Sequence, residues 1–163
     1  MKKYMIALYI RLSLEDAKTD SMSISSQRSI LREYASELPE YANAELMEFV
    51  DNGYSGANFE RPAVQELLDL VRANRIDCIM VKDFSRFGRN YIETGNFVEK
   101  IFPFLGVRFI AITDQYDSIK QADCNEALSM HLKNIANELY ARDIAEKVTA
   151  SKQAKMKQGE YLG

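Results

Sequence analysis

The stretch Tyr4–Ser13, YMIALYIRLS, indicates both the fold and the chemistry of the chain. Its apolar part predicts a strand over Tyr4–Ile10, because a short apolar run bounded by polar residues is typical of a buried strand. Arg11 and Ser13 follow at the end of that strand. A guanidinium and a hydroxyl in this position favour chemistry on a phosphate over chemistry on a carbonyl.

A second apolar run is followed by basic residues in the same way. A strand predicted over Cys78–Lys82 precedes Arg86-Phe87-Gly88-Arg89. The two strand ends could therefore bring one hydroxyl and three guanidinium groups together around a phosphate.

Strand patterns alternate with helix patterns through the first two thirds of the chain. Strands are predicted over Tyr4–Ile10, Glu45–Val50, Cys78–Lys82 and Val107–Ile112. Helices are predicted over Ile24–Leu38, Pro62–Asn74 and Tyr91–Leu105. Such alternation predicts an α/β fold, with a parallel sheet and helices on both faces. Pro62 suits a first helical turn, and Gly106 suits a helix end.

Length and composition favour one domain of 163 residues with its own core. The net charge of −3 argues against a chain that binds DNA through charge alone. No stretch approaches the roughly 18 apolar residues that a membrane span needs, so we expect a cytoplasmic protein with no membrane partner. Cys78 and Cys124 lack the spacing of a zinc site and are predicted to be plain thiols.

The last third differs, because no proline or glycine interrupts Asn125–Gln158. Apolar residues recur there at helical spacing, at Leu128, Leu132, Ile135, Leu139, Ile144, Ala145 and Val148. A helix over this range would be roughly 50 Å long, whereas a domain of this size has a radius of gyration of about 15 Å. We therefore divide the chain into an α/β core over residues 1–124 and a dimerisation helix over residues 125–163. Lys152, Lys155 and Lys157 near its end suit a charged surface.

Four arginines lie at strand ends or in adjoining loops: Arg11, Arg61, Arg86 and Arg89. Several guanidinium groups around one phosphodiester could stabilise a pentacoordinate transition state without metal, with Ser13 as the attacking oxygen. The single histidine, His131, lies in the predicted long helix, which argues against a Ser-His-Asp triad. The group that takes the serine proton stays open.

Several motifs together resemble the catalytic domain of the serine recombinases, which are the resolvases, invertases and serine integrases or transposases. The matching segments are YIRLS at 9–13, SISSQ at 23–27, DNGYSG at 51–56 with Arg61-Pro62, VKDFSRFGR at 81–89 and NELYARDI at 137–144. The resemblance implies a flavodoxin-like sheet and an enzyme that recombines double-stranded DNA as a homodimer, with a tetramer in the synaptic complex. It also implies that neither a metal, a nucleotide cofactor nor a small-molecule substrate is used.

The resemblance assigns roles residue by residue. Ser13 matches the serine that attacks the scissile phosphate and forms a 5′-phosphoserine linkage. Arg11, Arg61, Arg86 and Arg89 match arginines that bind or activate that phosphate. The expected substrate-binding residues are Gln27, Lys82, Lys152 and Lys155.

One position departs from the small resolvases, which carry an aspartate where Ser85 precedes Arg86. Serine here is similar to the large, transposase-like serine recombinases, which continue into DNA-reading domains. We therefore expect the chain to be an excised catalytic portion, with further domains after Gly163.

Two other readings stay open at this point. The first is a non-catalytic flavodoxin-like module that binds phosphate or serves regulation, since this layer order supports many functions. The second is a metal-dependent nuclease that uses Asp114, Asp117 and Asp123. Their polar surroundings favour a solvated turn over a magnesium site.

Overall fold

A five-stranded sheet in the order β2-β1-β3-β4-β5 forms the centre of the computed structural model. Its strands are β1 (Met5–Leu12), β2 (Glu45–Asn52), β3 (Cys78–Val81), β4 (Arg108–Ala111) and β5 (Tyr116–Asp117). The first four strands are parallel, and β5 pairs antiparallel with β4. The structure describes residues 2–14, 16, 23–120, 142–157 and 159.

Helices connect these strands. They are α1 (Ile24–Glu37), α2 (Pro62–Arg72), α3 (Phe84–Phe87), α4 (Tyr91–Gly95) and α5 (Phe102–Phe104), with a 3₁₀ turn at Pro39–Tyr41 and a π-helical segment at Asn96–Ile101. Residues 142–157 are also helical. Ser23 caps α1 by accepting a hydrogen bond from Ser26 N, and Pro62 occupies the first turn of α2 as expected.

Strand β1 is buried from Ile6 to Arg11 because helices cover both faces of the sheet. Its alternating side chains enter two separate cores. Ile6, Leu8 and Ile10 pack in the core that α1 covers, whereas Ala7 and Tyr9 pack in the core that α2, α3 and α5 cover. The prediction of a mostly parallel sheet with helices on both faces is confirmed.

The order of the strands fixes where a ligand site can lie. Strand β1 is flanked by β2 on one side and by β3 on the other, so the chain reverses its direction of winding between them. In flavodoxin-like sheets of this order the ligand crevice lies beyond the carboxyl ends of the strands at that reversal. Ser13 follows β1, and α3 follows β3, so both lie at this edge.

Three local features differ from the predictions. The short helix α3 was missed because a four-residue helix has no periodic pattern, and the structure holds it with Asp83 as N-cap. The helix predicted over Tyr91–Leu105 contains the π-helical segment. The two-residue strand β5 was missed as well, and its Asp117 pairs with Arg108 of β4 at 2.6 Å.

The predicted C-terminal helix is present over residues 142–157. Its proposed first part, residues 125–141, lies outside the described residues, and so do His131, Asp123 and Cys124. The boundary between core and helix at residue 124 therefore stays a prediction.

Candidate active site

Ser13 lies at the end of β1 with its side chain directed into the protein. The residue is 6% exposed, and its Oγ donates a hydrogen bond to Oδ2 of Asp16 at 2.6 Å. The backbone N–H of Asp16 donates back to Ser13 Oγ at 3.2 Å. Asp16 is thus the nearest described carboxylate to the predicted nucleophile, and it lies outside every motif recognised in the sequence.

Arg86 and Arg89 reach the same carboxylate from the other strand end. Arg86, only 2% exposed, donates through Nη1 to Asp16 Oδ2 at 2.9 Å. Nη2 of Arg89 lies 3.5 Å from the same oxygen. The hydroxyl and two of the three predicted guanidinium groups, those of Arg86 and Arg89, therefore converge on one anionic oxygen.

These donors determine the charge state of the carboxylate. Burial alone raises the pKa of Asp16, but the hydrogen bond from Ser13 and the positive charges of Arg86 and Arg89 outweigh it and lower the pKa to about 2. Asp16 is therefore ionised at neutral pH. We call the three donors around its Oδ2, namely Ser13 Oγ, Arg86 Nη1 and Arg89 Nη2, the anion-binding cluster.

Arg11 holds the backbone that carries this cluster. It is fully buried and donates to three backbone carbonyls, those of Arg86 at 3.2 Å, Tyr54 at 3.0 Å and Ser85 at 2.8 Å. Burial first, then the charges of the neighbouring arginines, lower the pKa of Arg11 to about 10, so it stays protonated at neutral pH. Arg11 fastens the end of β1 to α3 and to the loop after β2.

Arg61 belongs to a second buried network. It is 1% exposed and donates to the carbonyl of Asn58 at 2.9 Å, to the carbonyl of Phe87 and to Tyr9 Oη. Tyr9 Oη in turn donates to Asp51 Oδ2 at 2.7 Å. Burial lowers the pKa of Arg61. In this conformation the donors of Arg61 hold α3 rather than the carboxylate beside Ser13.

Asp51 joins that network to the start of α2. Its carboxylate accepts hydrogen bonds from the backbone N–H groups of Ala63 at 2.9 Å and Val64 at 3.1 Å. A carboxylate at a helix N-terminus satisfies amide groups that have no partner within the helix. The loop that carries Arg61 is thereby tied to β1 and β2.

The predicted substrate-binding residues occupy different places. Gln27 is fully buried, and its Nε2 donates to the Arg11 carbonyl at 3.1 Å, the same oxygen that accepts from Arg86. Lys82 is half-buried directly after β3. Lys152 and Lys155 are exposed in the helix over residues 142–157. Gln27 therefore contacts the backbone of the site through its hydrogen bond to the Arg11 carbonyl.

Gly56, the last residue of the DNGYSG motif, has a steric role in the structure. A Cβ atom at this position would lie 3.0 Å from Arg11 Nη2 and 3.0 Å from Arg89 Cγ. Its carbonyl accepts a hydrogen bond from Arg89 N at 2.8 Å. The absence of a side chain lets the loop after β2 lie directly against two arginines of the site.

The aspartates considered for a metal have other partners. Asp114 Oδ2 accepts from the first N–H of α3, at Phe84, at 2.7 Å. Asp117 is only 4% exposed and pairs with Arg108, so the prediction of a solvated turn is wrong for this residue. Within the described ranges no group of three or more His, Cys, Asp or Glu side chains is arranged to hold a metal ion.

Fold and site together define an α/β domain in which a serine and two arginines converge on one carboxylate oxygen. Residues 6–161 match the resolvase family, described as the resolvase N-terminal domain, and the chain therefore belongs to that family as a serine recombinase catalytic domain. A comparison with curated proteins finds no match. In the part of the chain that the structure describes, no helix is long and apolar enough to cross a membrane.

Solved structures agree with this assignment. The N-terminal catalytic domain of TP901-1 integrase is 25% identical, with a TM-score of 0.60 over 86% of this chain and 98% of that one. A resolvase family site-specific recombinase from Streptococcus pneumoniae is 21% identical, with a TM-score of 0.57 over 97% and 100%. The C-terminal catalytic domain of ISC1926 TnpA, an IS607-like serine recombinase, is 22% identical, with a TM-score of 0.54 over 96% and 99%. The last two show likeness of fold.

Proposed function

We propose that this domain cleaves and rejoins DNA through a covalent bond to Ser13. The Ser13 oxygen attacks the scissile phosphorus, the bond from phosphorus to the 3′ oxygen breaks, and the departing 3′ oxygen takes up a proton. The product is a 5′-phosphoserine linkage whose reversal by a 3′ hydroxyl rejoins a strand. No metal or nucleotide is needed in this scheme, because the phosphoserine bond retains the energy of the phosphodiester.

The observation that carries this proposal is the convergence of the anion-binding cluster on a single oxygen. Carboxylate and phosphate oxygens accept the same charge-assisted hydrogen bonds from guanidinium groups. A phosphate oxygen in the place of Asp16 Oδ2 would lie beside the nucleophile and two positive charges. Arg86 and Arg89 would then stabilise the charge that develops at the transition state.

The buried arginines take a supporting role in this proposal. Arg11 and Arg61 donate hydrogen bonds to backbone carbonyls and, in the case of Arg61, to Tyr9. These bonds hold α3 and therefore the position of Arg86. Gln27 shares the Arg11 carbonyl with Arg86 and supports the same geometry. Lys82, Lys152 and Lys155 are proposed to contact the DNA backbone, where ammonium groups add affinity without reading sequence.

Double-stranded DNA is the proposed substrate, and two copies of the chain are the proposed working unit. Ile144 and Val148 lie four residues apart in the helix over residues 142–157 and are 44% and 47% exposed. Residues at this spacing share one helix face, and an exposed apolar face favours association with a second copy. A tetramer would then bring two crossover sites together. A cytoplasmic location fits this role and stays a prediction.

A covalent adduct tests the chemistry. The protein is incubated with supercoiled plasmid that carries the genomic DNA flanking its gene, with a chelator present. We expect a protein–DNA adduct that survives denaturation, with the nucleotide attached to Ser13 in a peptide map. The Ser13→Ala variant should form none, whereas Ser29→Ala, which changes an exposed serine of α1, should match the wild type.

Charge stabilisation is tested separately with Arg86→Ala. We expect cleavage at saturating DNA to fall about a hundred- to a thousandfold, as for other removed transition-state donors. DNA affinity should change much less. Arg28→Ala removes a charge from a partly buried pair with Glu48 and serves as the control. An adduct in Ser13→Ala, or equal losses of binding and cleavage in Arg86→Ala, would favour the alternative of a non-catalytic phosphate-binding module.

A further inference from the structure

The proposed phosphate position is already occupied by part of the chain. Asp16 Oδ2 accepts hydrogen bonds from Ser13 Oγ at 2.6 Å and from Arg86 Nη1 at 2.9 Å, and Arg89 Nη2 lies 3.5 Å away. In the proposed function, Arg86 and Arg89 donate to a non-bridging phosphate oxygen, and Ser13 is the nucleophile. A carboxylate of the chain itself thus occupies this position.

Two roles are conceivable for a carboxylate that accepts a hydrogen bond from a nucleophilic hydroxyl. It can remove the proton as a general base, or it can hold the donors until the substrate arrives. A general base works best with a pKa near the working pH. The same guanidinium groups that hold Asp16 keep its pKa at about 2, so the carboxylate as seen here is a weak proton acceptor at neutral pH.

The carboxylate and a phosphate exclude each other at this position. Both would need the volume in front of Arg86 and Arg89, and two anions a few ångströms apart repel each other strongly where little water screens them. The side chain of Asp16 is 15% exposed and that of Arg86 2%. A phosphate can therefore enter only as the carboxylate leaves.

We propose that Asp16 is a displaceable positioning residue, which holds Ser13, Arg86 and Arg89 in place in the free domain and yields them to the scissile phosphate. This inference rests on the proposed function, because it takes the anion-binding cluster to be the phosphate site. Asp16 keeps the Ser13 proton directed at a weak base until DNA is present. It also opposes the binding of small anions that would otherwise fill the site.

Inorganic phosphate is the probe that tests this role without DNA. The 163-residue chain is titrated with phosphate at neutral pH while the Nε–Hε signals of its arginines are followed by NMR. Asp16→Asn keeps the shape of the side chain and removes its charge. We expect phosphate affinity to rise about tenfold or more, which corresponds to roughly 1.4 kcal/mol. The Asp69→Asn variant makes the same charge change at an exposed pair in α2 and should stay within twofold of wild type.

Two further variants identify the site and the cause. Adding Arg89→Ala to Asp16→Asn should abolish the gain, since it removes the more exposed arginine of the cluster. Asp16→Glu retains the charge and should bind phosphate as weakly as wild type. Unchanged or weaker phosphate binding in a folded Asp16→Asn overturns the proposal. Asp16→Ala replaces it if the asparagine variant does not fold, and failure of both to fold overturns the proposal as well, because the carboxylate is then structural.

Cleavage kinetics separate displacement from proton abstraction. In Asp16→Asn we expect half-maximal cleavage at a lower DNA concentration and a maximal rate within a fewfold of wild type. A fall of about a hundredfold or more in the maximal rate would identify Asp16 as a general base instead. The phosphate titration needs no cleavage, so its failure is distinguishable from a failure of the Ser13 adduct.

Discussion

Arg11 and Arg86 each donate a hydrogen bond to the backbone carbonyl of the other. Nε of Arg11 lies 3.2 Å from the Arg86 carbonyl oxygen, and Nη1 of Arg86 lies 3.2 Å from that of Arg11. The end of β1, where Ser13 follows, is thereby locked to α3. This reciprocal contact holds the segment that carries Ser13 against the helix that carries Arg86.

The first prediction concerns this contact. Arg11→Lys keeps the positive charge, but an ammonium on a flexible stem cannot reach the three carbonyls that the planar guanidinium bridges. Buried carbonyls left without partners cost about 1–3 kcal/mol each when water cannot replace the lost donor. We expect the free energy of unfolding to fall by roughly 2–4 kcal/mol in urea titrations. Arg72→Lys, at an exposed pair with Asp69, should change it by less than about 0.5 kcal/mol. If Arg11→Lys lowers the free energy of unfolding no more than Arg72→Lys does, the hydrogen bonds of Arg11 do not stabilise the fold.

The second prediction compares Gly56, which lies against two arginines of the site, with Gly88, which lies against core side chains. A methyl group at Gly56 would press on Arg11 Nη2 and Arg89 Cγ, both at 3.0 Å, and the Arg89 side chain can give way. We expect Gly56→Ala to fold normally but to reduce cleavage about tenfold or more, since small displacements of positioning groups have large effects on rate. A Cβ at Gly88 would lie 2.6 Å from Phe59 Cζ and from Thr94 Oγ1 inside the core. Gly88→Ala should therefore lose about 1–3 kcal/mol of stability. If Gly56→Ala lowers the thermal unfolding temperature more than Gly88→Ala does, the close contact at Gly56 serves stability and not the position of Arg89.

The third prediction is a pH dependence of stability. The pKa of Asp16 is lowered from its ordinary value of 3.8 to about 2 in the folded chain. A lowered folded pKa means that the ionised carboxylate stabilises the fold above about pH 4, and that this contribution is lost as the pH falls toward 2. The difference in unfolding free energy between wild type and Asp16→Asn should thus shrink over that range. Asp69→Asn provides the baseline, and a difference that stays constant from pH 6 to below pH 3 would contradict the ion pairs described here.

Much of this arrangement could be predicted from the sequence, because its parts lie on strongly patterned elements. Apolar runs marked β1 and β3, and Ser13 and Arg86 follow them closely enough for the parallel sheet to bring them together. Asp16 could not be found in this way. It lies in a polar stretch without periodicity, and only the position of α3 across the sheet edge gives it its partners.

The arginines show a second limit of sequence reasoning. All four were predicted to act on phosphate, and that role stays a prediction. In the structure Arg11 and Arg61 donate hydrogen bonds to the carbonyls of Tyr54, Ser85 and Phe87. Those carbonyls belong to loops and to a four-residue helix, whose backbone directions follow from tertiary packing rather than from local pattern. The type of residue predicted a cationic site, but which guanidinium groups face the nucleophile depended on the fold.

The last prediction concerns assembly. Ile144 and Val148 expose an apolar face on the helix over residues 142–157, and burying a side chain of this kind contributes roughly 1.5–3 kcal/mol. We expect the chain to form dimers that sedimentation resolves at high micromolar concentration. Ile144→Glu and Val148→Glu should each weaken the dimer, because a charge would be buried without a partner. Ala150→Glu makes a similar charge change about 160° around the helix from Val148, by the geometry of 3.6 residues per turn, and should leave the dimer intact. Equal weakening by all three variants would indicate a general charge effect, and a monomer at every concentration would show that this face does not associate on its own.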